Sequence, residues 1–168
     1  MPSKCTFDQD EIREIRAGMI REKQLEQMEK RLPKYTLITA KGLLRNNSPG
    51  DYYETPDGDW NIIASELRNI HHSELILTHE FIEVILVRAA GIPEPVIDAW
   101  DAYFEILRQY GLVGPDDEPG DDPRSPYYEQ HQLATKVEKV VCEEGFKLDW
   151  DKYDEACIEL IKKGTSPK

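Results

Sequence analysis

The stretch LTHEFIEVIL, residues 77–86, sets one imidazole, His79, and two carboxylates, Glu80 and Glu83, into an otherwise apolar run. A buried charge is costly unless it is paired, hydrogen-bonded or bound to a metal. Successive residues of a helix turn by about 100°. His79 and Glu83 therefore share one stripe, with Glu80 at its edge and Leu75, Leu77, Phe81, Ile82 and Leu86 opposite. An imidazole and a carboxylate one turn apart can ligate a single cation. A carboxylate directly after the His is placed to activate water, as in the H-E-x-x-H helix. Here the pattern is H-E-x-x-E, which stays competent for Zn²⁺ while being harder and more anionic.

Two ligands do not fill a site. The next helix offers Asp98, Asp101 and Glu105 on one face, and a later one offers His131 in PYYEQHQLATKVEKV. The stripe of His131 holds Ala134, Thr135, Glu138 and Cys142, and its small residues leave room for an approaching helix. Glu138 or Glu129 is the candidate carboxylate to orient the His131 ring. Plainer roles exist for each group. His131 alone suits a hydrogen-bonded helix histidine, the acids at 98–105 a solvated face continued by Arg108, and His71 and His72 a helix start. Buried unpaired charge is rare enough to favour a metal centre with His79, Glu83 and His131 as ligands. Asp101 completes or supports that centre, Asp98 and His72 are its substitutes, and Glu80 is the general base.

The elements that must position these groups are legible in outline. Residues 8–31 read as a long charged helix with a narrow apolar stripe, ended by Pro33. Residues 34–44 and 60–67 (WNIIASEL) read as strands, separated by a turn-rich loop or hairpin connection, RNNSPGDYYETPDGD. Helices follow from His72 or Ser73 to 90, closed by Gly91, and from IPEP to about residue 110, closed by Gly111. A stiff acidic loop, LVGPDDEPGDDPRSP, leads to a helix over 126–144, with Ser125 as cap and Pro126 at its start. Asp149 caps a last helix to about residue 163. The expected fold is α+β and mostly helical, with about five helices and a small N-terminal sheet or hairpin. Residues 1–33 form an appended helix, 34–163 one metal-binding domain, and 164–168 a tail. The first helix docks on its own domain or pairs two copies in a homodimer.

Formal net charge is −12, from 33 acidic and 21 basic residues among 168. That balance disfavours nucleic acid and anionic membrane surfaces. No apolar run approaches the ~20 residues of a membrane span, and the N-terminus lacks the apolar core of a signal peptide. The expected compartment is the cytoplasm. Cys5, Cys142 and Cys157 are too few and too far apart for a disulfide framework.

The segments DWNIIASEL, THEFIEVILVRAAGI, VIDAWDAYFE, DEPGDDPRSPYYEQHQLATKVEKVV and DWDKY occur in this order. Together they resemble a group of small proteins of bacteriophages and prophages. The H-E-x-x-E helix resembles the active-site helix of zincin-type metallopeptidases. The resemblance implies a zincin-like fold and a bound metal, with matching positions at His79, Glu80, Glu83, Asp98, Asp101 and His131, and a host cytoplasm as the setting.

Three functions follow as expectations. The first is a zinc-dependent hydrolase, peptidase-like, whose peptide or protein substrate is presented by strand addition along WNIIASEL. The second is a non-enzymatic acidic phage protein whose metal is structural and whose partner is a host protein. The third pairs Glu80-x-x-Glu83 with Asp98-x-x-Asp101. That arrangement resembles the Mg²⁺ or Mn²⁺ carboxylate cluster of MazG and dimeric dUTPase nucleotide pyrophosphohydrolases.

Overall fold

The computed structural model describes residues 32–45 and 48–165. The chain divides into two units, Met1–Pro33 and Lys34–Lys168. The long N-terminal helix expected over 8–31 lies outside the described residues.

The second unit is a mixed α/β domain, mostly helical. Three strands open it: β1 (Tyr35–Ala40), β2 (Gly50–Glu54) and β3 (Trp60–Ser65). They form one sheet in the order β1-β3-β2, with β3 parallel to β1 and antiparallel to β2. The turn-rich segment thus contains a strand of its own. Its Thr-Pro-Asp-Gly stretch makes the hairpin turn, where Gly58 N–H donates to Thr55 O at 2.8 Å and Thr55 N–H to Asp59 O at 2.7 Å. Gly58 takes a φ of 78° there, a value that side chains with a Cβ rarely adopt. The central position of β3 explains its blurred alternation. Trp60, Ile62 and Ala64 are buried on one face, while Asn61 and Ile63 are half-buried on the other.

Four helices follow among the described residues: α1 (Ile70–Ala90), α2 (Glu94–Gln109), α3 (Tyr128–Val140) and α4 (Trp150–Thr165). Helix α1 begins earlier than expected because Asn69 caps it. The Asn69 side chain accepts from His71 N–H at 3.2 Å. Ser73 points inward instead, donating to Ser65 O at 2.9 Å and accepting from Leu67 N–H at 2.8 Å, which ties α1 to the end of β3. Gly91 closes α1 at a φ of 71°. Helix α3 starts two residues after Pro126 and does not run to 144 as a regular helix. It widens over Val141–Gly145 into a π turn, which buries Cys142. Asp149 Oδ1 accepts from Lys152 N–H at 3.3 Å at the start of α4.

Two apolar clusters flank the middle of α1. One packs Tyr52, Trp60 and Ile62 of the sheet against Val84, Val87, Ile97 and Tyr127. The other packs Ala64, Leu75 and Ile76 against Cys142, Tyr153 and Cys157. His79, Glu80 and Glu83 occupy the part of α1 between them. No helix among the described residues is long and apolar enough to cross a membrane.

Candidate metal centre

Helices α1 and α3 lay their polar stripes against each other. Glu83 is 5 % exposed and His131 7 %, as deeply placed as the apolar core. His79 Nε2 lies 3.2 Å from His131 Nδ1 and 3.4 Å from Glu83 Oε2. His131 Nδ1 lies 2.8 Å from Glu83 Oε2. These three donors form one of two converging metal-ligand groups among the described residues. An ion with ligands at the usual Zn–N and Zn–O lengths in tetrahedral geometry separates its ligand atoms by about 3.3 Å. Two sides of the observed triangle are close to that length and the third, His131 Nδ1 to Glu83 Oε2, is shorter at 2.8 Å; two imidazoles with one carboxylate are a zinc-competent donor set.

The far ring nitrogens face carboxylates as well. His79 Nδ1 donates to Glu138 Oε2 at 2.9 Å, and Tyr153 OH donates to the other Glu138 oxygen. A carboxylate accepts only, so this bond fixes a proton on Nδ1 and leaves Nε2 as the ring nitrogen that faces the centre. Glu138 therefore orients His79, not His131 as the sequence suggested, and Glu129 is exposed. One helical turn separates His131 from Thr135 and two separate it from Glu138, so the Glu138 side chain reaches the next turn of α1. His131 Nε2 instead looks toward Glu118 and Asp121, at 3.5 and 3.4 Å. Those two residues belong to the acidic loop, whose short 3-10 turn Pro119–Asp121 forms the rim of the site. Trp100 Nε1 anchors that turn by donating to Pro119 O at 2.9 Å.

Glu83 also accepts from Tyr52 OH at 3.0 Å, a contact supplied by the unexpected strand β2. Electrostatics follow from this crowding. Burial opposes charge on both imidazoles, but the Glu138 and Glu83 carboxylates outweigh it and hold His79 up at about 10. Asp121, Glu118 and Glu83 do the same for His131, up to about 12. Burial would raise Glu83, yet its hydrogen bonds to His131 and His79 bring it down to about 2. The centre is built to hold positive charge.

A cleft of about 310 Å³ opens beside the triangle, lined among others by Asp51, Glu80, Asp101, Tyr127 and Glu118. Glu80 packs onto β2, where a Cβ on Gly50 would come within 2.1 Å of Glu80 Oε1. Burial and then the neighbouring Glu83 push the Glu80 carboxyl well above its ordinary range.

Asp101 faces the same cleft but is outside the converging triangle. Its Oδ1 accepts from Tyr127 OH at 2.6 Å, and burial raises it to about 6 despite that bond. Asp98 turns to Arg45 at 3.4 Å. Glu105 pairs with Arg108. His72 packs its ring on Tyr153, and His71 pairs with Glu74 at 2.7 Å. Tyr52, Tyr153 and the close-packing Gly50 were not anticipated as parts of the site, and Glu118, Gly120 and Asp121 were not singled out within the acidic loop.

The strand expected to present substrate is also different. WNIIASEL supplies β3, whose two edges are taken by β1 and β2, so no further strand can pair with it. The edge nearest the centre is that of β2. There Arg45 donates to Tyr52 O at 2.9 Å and Glu54 N–H donates to Glu94 at 2.9 Å, so side chains already occupy part of that edge.

Compared with protein-family models, with curated proteins and with solved structures, the chain matches none of them.

Proposed function

We propose that this chain is a metal-dependent hydrolase, peptidase-like, in which His79, Glu83 and His131 hold a zinc-class ion. The carrying observation is the triangle of two imidazole nitrogens and one carboxylate oxygen, opening on a cleft that also receives Glu80. The reading includes kinship with the phage and prophage proteins and a zincin-like arrangement of the helices. An ion in this place supplies Lewis-acid polarisation of a substrate carbonyl or phosphoryl oxygen.

The chain's own groups have separate tasks. Glu80 takes the proton of the attacking water, with burial and the neighbouring Glu83 holding its carboxyl above the ordinary glutamate range. Glu138 and Tyr153 fix the tautomer of His79. Tyr52 holds Glu83, and Tyr127 holds Asp101 at the cleft wall, where its carboxylate can bind a positively charged part of the substrate. A purely structural metal would have no need of the cleft or of Glu80. The carboxylate-cluster reading draws less from the geometry, because Asp98 is engaged by Arg45 and Glu83 by Tyr52 and His131.

The test is metal content by plasma mass spectrometry on protein purified without chelator or affinity nickel, wild type beside His79→Ala. The expected result is bound zinc in the wild type and its loss in the variant. Glu80→Gln is then expected to keep the metal and lose hydrolysis of a peptide library. Absence of transition metal from the wild type overturns the reading, and full turnover in Glu80→Gln removes Glu80 from its role.

A further inference from the structure

His131 presents a donor atom on each side of its ring. Nδ1 completes the triangle with His79 and Glu83. Nε2 faces Glu118 Oε2 at 3.5 Å and Asp121 Oδ1 at 3.4 Å, and these three residues form the second converging donor group. An N–H···O hydrogen bond is best formed at about 2.7–3.2 Å, and both distances lie beyond that range while staying within ion-pair reach. They match the spacing of ligand atoms around a cation. His131 is buried, 7 % exposed, and its Nε2 faces two carboxylates within ion-pair range.

The backbone is fitted to this arrangement. Gly120 lies flat on the ring, where a Cβ would come within 2.4 Å of His131 Cγ and 2.5 Å of Nδ1. Only a glycine lets the turn sit so low, and sitting low is what carries Glu118 and Asp121 to the Nε2 side. Gln132 Nε2 donates to Asp121 Oδ1 at 2.7 Å, fixing that carboxylate while leaving the oxygen a second lone pair. The Glu118 and Asp121 side chains are 46 % and 58 % exposed, so solvent can reach the space between them and complete a coordination shell.

Building on the reading that His79, Glu83 and His131 hold one ion, we propose a second divalent-cation site at His131 Nε2, Glu118 and Asp121, with the His131 ring bridging both ions as imidazolate. One nitrogen and two carboxylates suit Zn²⁺ or Mn²⁺. Ligand nitrogens must be deprotonated, so the Nε2 proton leaves to solvent as the outer ion binds. The inner ion assists by withdrawing charge through the ring.

The rival role for Glu118 and Asp121 is orientation of His131 alone. Loss of such an orienting partner weakens a metal site by about 10–100-fold without changing the number of ions bound. The experiment is a Zn²⁺ titration of chelator-stripped, full-length protein, read as ions retained per chain and as affinity. Wild type, Asp121→Asn, Glu118→Gln and His79→Ala are compared, and thermal melts confirm that each variant folds. The expected result is two ions in the wild type and one in Asp121→Asn and Glu118→Gln. One ion in both the wild type and Asp121→Asn overturns the outer site and leaves the inner one standing. One ion kept in His79→Ala but lost in Asp121→Asn supports the outer site and overturns the inner one. No ion in any form overturns both. Bridging has its own readout, with Cu²⁺ as probe. At two equivalents the electron paramagnetic resonance of the wild type should lose intensity through spin coupling, and Asp121→Asn should keep a full single-ion signal. Two uncoupled Cu²⁺ signals in the wild type overturn the bridge.

Discussion

Glu138 is the most informative single position outside the triangle, because its two oxygens do different work. Oε2 accepts from His79 Nδ1–H at 2.9 Å and Oε1 from Tyr153 OH, with the residue 5 % exposed. Glu138→Gln keeps the shape and offers one acceptor where there were two. If the amide oxygen faces Tyr153, the amide N–H meets Nδ1–H, and His79 must move its proton to Nε2, the ligand atom. If the oxygen faces His79, the bond survives in neutral form, at about half the strength of the charge-assisted one. Both outcomes weaken the metal site. Loss of a carboxylate behind a ligating imidazole costs about 10–100-fold in metal affinity, or about 1.4–2.8 kcal/mol.

The assay is competition for Zn²⁺ against a chromophoric chelator at fixed pH, with a thermal melt of the metal-free variant to confirm its fold. Tyr153→Phe is the control. It removes one donor to Glu138 but leaves the charged acceptor on His79, so its loss of affinity should be the smaller. A folded Glu138→Gln protein binding Zn²⁺ within twofold of wild type would refute the tautomer argument. So would a Tyr153→Phe variant that is the weaker binder of the two.

Three further predictions concern the cleft and the ligand set. Gly50→Ala places a Cβ where Glu80 Oε1 now lies, 2.1 Å away, so the carboxylate must shift by more than about 1 Å, enough to cost ~100-fold in rate. Gly50 is not among the glycines with positive φ, so metal content and melting temperature should hold; unchanged turnover would show that Glu80 has no fixed working position. Asp101 is raised to about 6 by burial, above the ordinary 3.9 of an aspartate. Such a group favours the folded state most below its unfolded value and loses that contribution as pH rises through 6. Asp101→Asn, which can still accept from Tyr127, should therefore stabilise the metal-free protein by about 1–2 kcal/mol at pH 8 and by nothing at pH 3.5, checked by urea unfolding at both pH values. A stabilisation that is equal at the two pH values would rule out charge as its cause. His72→Ala should keep full metal content, since the ring packs on Tyr153 rather than facing the triangle, and a loss of zinc from it would reassign a ligand.

What the sequence made legible was whatever depends on local spacing. The i and i+4 relation of His79 and Glu83, the closing glycine of α1 and the capping role of Asp149 are each decided within a turn or two of helix. His131 was legible because a histidine beside small residues marks a close helix approach, and α3 does pack on α1. The orienting partners were harder, since they come from pairings far apart in the chain: Glu138 lies 59 residues from His79 and Tyr52 lies 31 from Glu83. Strand β2 was hidden by its own composition, because Gly50, Asp51 and Glu54 disfavour strands and the adjoining Pro56, Asp57 and Gly58 announce a turn. It is nonetheless a strand, because Tyr52 gains a buried place for its ring and a carboxylate for its hydroxyl. Hidden with it was the edge of the sheet, and so WNIIASEL was assigned an edge that belongs to β2. Gly120 shows the same limit from the other direction. In the sequence it is one glycine in a proline-rich acidic loop, and only the fold shows that its missing side chain is what brings Glu118 and Asp121 to His131.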